Sequence, residues 1–184
     1  VRPPQPAEYS SLTYANSARW QTSKGGDRYR RGLYTFFQRT SPYPMLMTFD
    51  SPDATLCTAK RSTSNTPLQA LTLLNDVVFF ECAQALGLRI VEEAPAGQAA
   101  DETVANRAAY AVQLCLARTP SDAERSTVVD LYRAQKELLE QSAAAADEVI
   151  GSQAIPEETD EAELAAWILV GRTLLNLDEF VTKE

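Results

Sequence analysis

A chain of 184 residues with 45% hydrophobic and 8% aromatic content is long enough for one domain with a sizeable core and too apolar to be disordered throughout. It contains no histidine, so the commonest general base, metal ligand and haem ligand is missing, and neither a serine–histidine nor a cysteine–histidine nucleophile system can be assembled. The net charge of −8 is unevenly laid out: residues 1–75 hold nine Lys/Arg against four Asp/Glu (+5) and residues 76–184 hold eight against 21 (−13). That split leaves open an anionic partner for the first part, neutralisation within one fold, or self-association.

Val1 opens the chain without an initiator Met or an apolar signal core, so it reads as a fragment or processed product. Residues 1–27, rich in Pro, Ser, Tyr and Gly and without sustained periodicity, read as an extended arm, and residues 28–184 as a single helical domain. Gly25-Gly26-Asp27 is expected to turn the chain and cap a short amphipathic helix carrying Tyr29, Leu33, Phe36 and Phe37, which stops before Pro42.

Thr66-Pro67-Leu68-Gln69 has the form of a capping box with proline at the first helical position. The helix it opens sets Leu71, Val78, Phe79, Cys82, Leu86 and Ile90 on one face, widened by Leu74, Val77 and Phe80, and is expected to be the central, most buried one, with a bend open at Asn75-Asp76. Val104, Ala108, Ala111, Val112 and Cys115 form the stripe of a third helix, closed by Thr119-Pro120. Ser121 and Glu124 offer a second capping box for a helix carrying Val128, Leu131, Tyr132, Leu138 and Leu139.

Residues 142–160, low in complexity, read as a fraying helix end and mobile linker. The last helix, at about 161–176, places Gly171 on the stripe of Leu164, Trp167, Ile168, Leu174 and Leu175, the pattern of a close helix crossing. The sum is an all-α bundle of about four longer helices, a short amphipathic helix and an irregular Pro/aromatic-rich arm. The longest apolar runs are cut by Asn75, Asp76, Glu81 or Arg172 before a bilayer-spanning length of roughly 20 residues, so no transmembrane helix is expected.

Cys57, Cys82 and Cys115 contain no CxxC pair, which excludes a zinc ribbon, a thioredoxin-type dithiol and a CxxCH haem attachment; all three are expected to be buried thiols. No metal, haem or other cofactor is expected in this chain, no phosphate-cradling glycine loop is present, and Met45 and Met47 are expected to pack against aromatics. Asp50, Asp53 and Asp76 are the carboxylates near Thr48–Asp76 that could serve acid–base chemistry, against a structural alternative in which Asp50 caps a turn or pairs with Arg61 while Asn75 and Asp76 bond local backbone. Arg28, Arg30 and Arg31 fall in the first turn of the expected short helix, where the macrodipole disfavours positive charge and calls for a carboxylate, an adjoining domain or an anionic polymer.

Asp27-Arg28-Tyr29-Arg30-Arg31-Gly32-Leu33-Tyr34, Phe49-Asp50-Ser51-Pro52, Asn65-Thr66-Pro67-Leu68-Gln69 and Leu74-Asn75-Asp76, with Cys57, Arg61, Arg118-Thr119-Pro120, Glu124 and Leu174–Phe180, make the chain resemble a planctomycete-specific family known as domain of unknown function 1553. Nearly the whole chain is covered, apart from residues 142–160. The resemblance implies the carboxyl end of a larger exported protein, hence an extracytoplasmic setting, with any c-type haem in an upstream domain; it carries over no catalytic residues.

Three functions follow as expectations. The first is a non-catalytic domain that docks onto upstream domains of its parent through the arm and basic helix. The second is binding of an anionic or sulfated polysaccharide by Arg28, Arg30, Arg31, Lys60 and Arg61, the acidic remainder arguing against nucleic acid. The third is a polysaccharide-processing enzyme acting through Asp50, Arg61, Asn65 and Asp76, with Asn75 beside them.

Overall fold

The computed structural model of the chain describes residues 1–6, 20–39, 41–157 and 159–182. Among them are eight α-helices, two 3-10 turns and no strand, in two compact units, Val1–Val78 and Phe79–Glu184. The all-α expectation and the four longer helices are met, and the first unit ends at Val78.

In the first unit, residues 1–6 run extended because proline fixes its own φ and bars the preceding residue from the helical region. The segment is fastened on both sides: Ser23 N donates to Arg2 O at 2.8 Å, and Phe36 N donates to Val1 O at 2.7 Å. Residues 7–19 of the expected arm lie outside the described residues.

The helix expected after Asp27 does not form. Two 3-10 turns, Gly25–Tyr29 and Gly32–Tyr34, stand in its place, and neither buries a residue. Gly25 sits at φ +57, and Asp27 accepts from Arg30 Nε at 3.1 Å instead of capping backbone amides. Glycines at both turns weaken helix continuity, and without a packed face the aromatic spacing alone cannot hold a helix this short. Arg28, Arg30 and Arg31 therefore face no α-helix dipole.

Helix α1 (Pro44–Thr48) follows the prolines and packs on α2 (Pro67–Asn75). The capping box of α2 is present as expected: Gln69 N donates to Thr66 Oγ1 at 3.3 Å and Thr66 N to Gln69 Oε1 at 3.0 Å. Asp76 leaves the helical region (φ −72, ψ 134), and its Oδ1 accepts from Val78 N at 2.9 Å to start α3 (Val77–Glu93). The sequence's one bent helix is thus two, each with its own capping group.

The second unit continues along α3 and adds α4 (Ala100–Leu116), α5 (Asp122–Glu140), α6 (Ala143–Ile150), α7 (Glu161–Leu174) and α8 (Asp178–Val181). The Ser121/Glu124 capping box opens α5 as read. Helix α6 occupies the stretch read as a linker. Its alanines favour helix, Ser142 Oγ accepts from Ala145 N at 3.4 Å, and Ala146 and Ile150 are buried. Gln84 of α3, itself buried, donates through Nε2 to Val149 O at 2.8 Å and Ile150 O at 3.2 Å, closing the end of α6.

The central helix is α7, not the one beginning at Thr66. Leu164, Trp167, Ile168 and Val170 are wholly buried, and α4, α5 and α6 all pack on it. Burial of each such side chain contributes about 1.5–3 kcal/mol. Trp167 stacks on Tyr132 at 4.4 Å between centroids. The close crossing expected at Gly171 is with α3: a Cβ there would meet Leu86 Cδ2 at 3.2 Å.

On α3 the buried residues are Ala83, Gln84, Gly87, Ile90 and Val91, while Cys82 is exposed, as are Leu71 of α2 and Val77. Small residues let α3 approach α7, and of the large apolar face read from sequence Ile90 is buried and Leu86 packs against the core, while Leu71, Val77 and Cys82 do not. Cys57 is exposed too and Cys115 is half-buried, which corrects the expectation of three buried thiols.

Candidate functional site

The polar residues between Thr48 and Gln69 build a latch within the first unit. Asp50, just past α1, takes the left-handed conformation at φ +58, which Asp tolerates better than most residues. Its Oδ2 accepts from Ser64 N at 2.8 Å and Ser64 Oγ at 2.7 Å. Arg61 does not reach Asp50 as the simple pairing read from sequence; its Nε donates to Asp50 O at 3.0 Å and its Nη2 to Phe49 O.

Gln69 is the hub. Only 5% exposed, it donates from Nε2 to Thr48 O at 2.9 Å and Ser64 Oγ at 3.1 Å, while its Oε1 serves the capping box. The Asp50 carboxyl is held below its ordinary range, foremost by the Ser64 hydroxyl, with the Ser64 amide, Gln69 and Arg61 adding to the shift and desolvation opposing it. It is an ionised acceptor, engaged by donors on two sides.

The latch closes the neck of a loop, Ser51–Thr63, whose residues 52–63 are exposed and whose Leu56 is 81% exposed. Within it, Asp53 Oδ1 accepts from Thr55 N at 2.9 Å and Thr55 Oγ1 at 2.7 Å, and Ala54 lies at φ +58. Compact loops with closed necks commonly present recognition surfaces.

Of the sequence-derived candidates, the structure brings together Asp50 and Arg61 and adds Ser64 and Gln69. Asn65 is exposed on the same stretch, and Lys60 is exposed on the loop. Asn75 Nδ2 donates to Leu71 O at 2.8 Å, so Asn75 and Asp76 both bond local backbone, the structural alternative read from sequence. They also line a groove of about 370 Å³ with Pro4, Tyr43, Met45 and Leu68. Tyr43, buried there and near Asp76, has its hydroxyl pKa pushed up to about 12, chiefly by burial. Arg30 and Arg31 each place a guanidinium 5.9 Å from the Tyr34 ring centroid; Arg28 is half-buried.

Nothing in local periodicity marks the roles of Ser64 and Tyr43. The sequence marks Gln69 only as a capping residue, and its second function through Nε2 depends on α1 lying alongside. Among the described residues no group of three or more Cys, Asp or Glu side chains is placed to hold a metal ion.

Fold and site together define an all-helical domain whose signature residues fasten one exposed loop to a helix pair. The chain belongs to the family PSD1, described as a protein of unknown function (DUF1553), which it matches over residues 1–132. That span takes in the whole first unit and the second as far as Tyr132 in α5, so the resemblance read at Leu174–Phe180 lies beyond it. No curated protein and no solved structure matches the chain.

Proposed function

We propose that the chain is a non-catalytic interaction domain that docks onto other domains of a larger parent protein through its first unit. The observation that carries this reading is the unit's inverted apolar balance. Leu33 is 84% exposed, Leu56 81%, Leu68 62% and Tyr29 52%, while the buried hydrophobics among its described residues are Tyr43 and Leu73. Apolar surface of this kind, interspersed with basic residues, favours burial against a partner. Nine Lys/Arg against five Asp/Glu in residues 1–78 favour an acidic partner surface.

In this reading the parent is an exported planctomycete protein, the partner lies upstream, and any c-type haem belongs to that upstream part. The test is titration of the separately expressed upstream region against this chain. Binding at tens of micromolar or tighter, roughly 6 kcal/mol, is expected, weakened at least about tenfold by Leu33→Asp or Leu56→Asp. An unresponsive titration ends the proposal.

Exposed Arg30 and Arg31 beside Tyr34 favour one second reading, recognition of an anionic polysaccharide. Retention on a sulfated-glycan column should then fall with salt and with Arg30→Ala/Arg31→Ala. Unchanged retention in that variant removes it.

A further inference from the structure

The first six residues, Val1-Arg2-Pro3-Pro4-Gln5-Pro6, are constrained before any contact is made. Three prolines fix φ near −65°, and Arg2, Pro3 and Gln5 each precede a proline and are pushed to extended conformations. Such a sequence is biased toward polyproline II, a conformation with no internal hydrogen bonds that leaves its carbonyls available to other donors.

The first unit receives it with an aromatic clasp. Trp20 and Tyr43 stack with centroids 5.6 Å apart and rings within 4° of parallel, and Phe36 flanks Trp20 at 6.4 Å. The Trp20 indole Nε1 donates to Pro3 O at 2.7 Å, and the Tyr43 hydroxyl donates to Pro4 O at 2.9 Å. The Arg2 guanidinium lies over the Phe36 ring at 4.4 Å, and Arg2 N donates to Ser23 Oγ at 2.9 Å. Indole and phenol donors aimed at successive carbonyls are among the means by which aromatic-lined grooves recognise proline-rich peptides.

The segment is also shallow. Pro3 is its one buried residue; Val1, Arg2, Pro4 and Gln5 are half-buried and Pro6 is exposed. It is held by carbonyl hydrogen bonds and ring contacts more than by a core of its own, as a ligand is held.

We propose that Trp20, Phe36 and Tyr43 form a polyproline-II binding clasp whose resident ligand is the chain's own Val1–Pro6 segment. A peptide of Arg-Pro-Pro-x-Pro pattern supplied in trans takes the segment's place. This goes beyond the docking reading and does not depend on it. A tethered ligand acts at an effective concentration on the order of millimolar, so a free peptide competes poorly until the tethered one is weakened.

The experiment uses the 184-residue chain carrying Pro3→Ala/Pro4→Ala, read by the Trp20 indole N–H signal in NMR with Trp167 as internal reference. The probe is the capped peptide VRPPQP, with VRAAQA as control. The Trp20 signal should leave its wild-type position in the variant and return saturably with VRPPQP at roughly millimolar or lower concentration, but not with VRAAQA. Adding Tyr43→Phe should weaken the peptide about fivefold, the effect of one hydrogen bond. No response at about 5 mM peptide, several times the tethered concentration, overturns the proposal. Loss of native structure in the double variant overturns it too, because the segment is then part of the core. In the wild-type chain the amides of Ser23 and Phe36 should exchange by local opening, at least about tenfold faster than that of Leu73; equal rates contradict a separable ligand.

Discussion

Gly87 of α3 lies against the backbone of Ile168 in α7: a Cβ on Gly87 would stand 2.7 Å from the Ile168 nitrogen and 2.8 Å from its Cα. Neither atom belongs to a flexible side chain. An alanine there would gain about 1 kcal/mol of helix propensity but force two helix backbones apart, an overpacking cost of typically 1–3 kcal/mol or more. Gly87→Ala should therefore destabilise by a net of up to about 2 kcal/mol or more, read as a lower urea midpoint at unchanged slope. Gly171→Ala meets only the Leu86 side chain and, at 3.4 Å, the Ala83 carbonyl, and should stay within about 1 kcal/mol of wild type. Equal losses at the two positions would show that the crossing is not governed by the Gly87 contact.

Gln69 joins the capping box to the latch. Truncation to Ala strips acceptor and donor together from Thr66 N, Thr48 O and Ser64 Oγ, and losing such partly buried hydrogen bonds costs about 0.5–1.5 kcal/mol each. Gln69→Ala should also speed proteolytic cutting within Ser51–Thr63, since the loop neck loses its fastening to α2. A stable variant with wild-type cleavage kinetics would assign the latch to Asp50 and Ser64 alone.

Acid should unfold the second unit partly through Glu124. Its carboxylate accepts from Arg118, from Ser121 N at 2.7 Å and from Ser121 Oγ at 2.8 Å, and its pKa falls from 4.5 to about 2, with Arg118 the largest cause. A folded pKa below the unfolded one stabilises fully above about 4.5, and that stabilisation is lost as pH falls toward about 2. Glu124→Gln should flatten the stability profile across that window, as measured by urea midpoints at successive pH values. The Asp50 carboxyl, also lowered, works in the same direction in the first unit.

Trp167 presents a conflict of packing and polarity. Its ring is wholly buried against Tyr132, yet its indole N–H meets no acceptor among the described residues. Trp167→Ala should cost about 3–5 kcal/mol through the cavity. Trp167→Phe keeps most of the ring and removes the orphan donor, so a loss below about 1.5 kcal/mol is expected. A Phe variant as unstable as the Ala variant would mean that the second ring, not burial in general, secures the stack on Tyr132.

Local chemistry was the legible part of this chain. Thr66/Gln69 and Ser121/Glu124 declare helix starts by residues three apart, and the Gly171 stripe declares a close crossing, because both signals are complete within one segment. The aromatic spacing at Tyr29 and Leu33 misled, since helical periodicity without a surface to bury against cannot outweigh the glycines around it. The alanines of α6 read only as a fraying helix end before a linker because small side chains carry a weak hydrophobic signal, yet Ala146 is buried where α6 packs on α7. Leu71 and Val77 looked buried by size, yet helix approach on α3 is set by Ala83 and Gly87. At the site, that Arg61 addresses the main-chain carbonyls of Phe49 and Asp50 and not the Asp50 carboxylate follows only from the left-handed turn at Asp50, which no spacing rule announces.

The Arg61 bonds set the loop's response to its solvent. A guanidinium bound to the carbonyls of Phe49 and Asp50 draws on main-chain dipoles and needs no opposite side-chain charge, whereas a pair such as Arg133–Asp101 at 2.9 Å rests on two charges that salt screens. Concentrated electrolyte should loosen the exposed ion pairs of the second unit while the neck of Ser51–Thr63 stays closed. The surface carried by that loop would then keep one shape in brine and in dilute buffer alike.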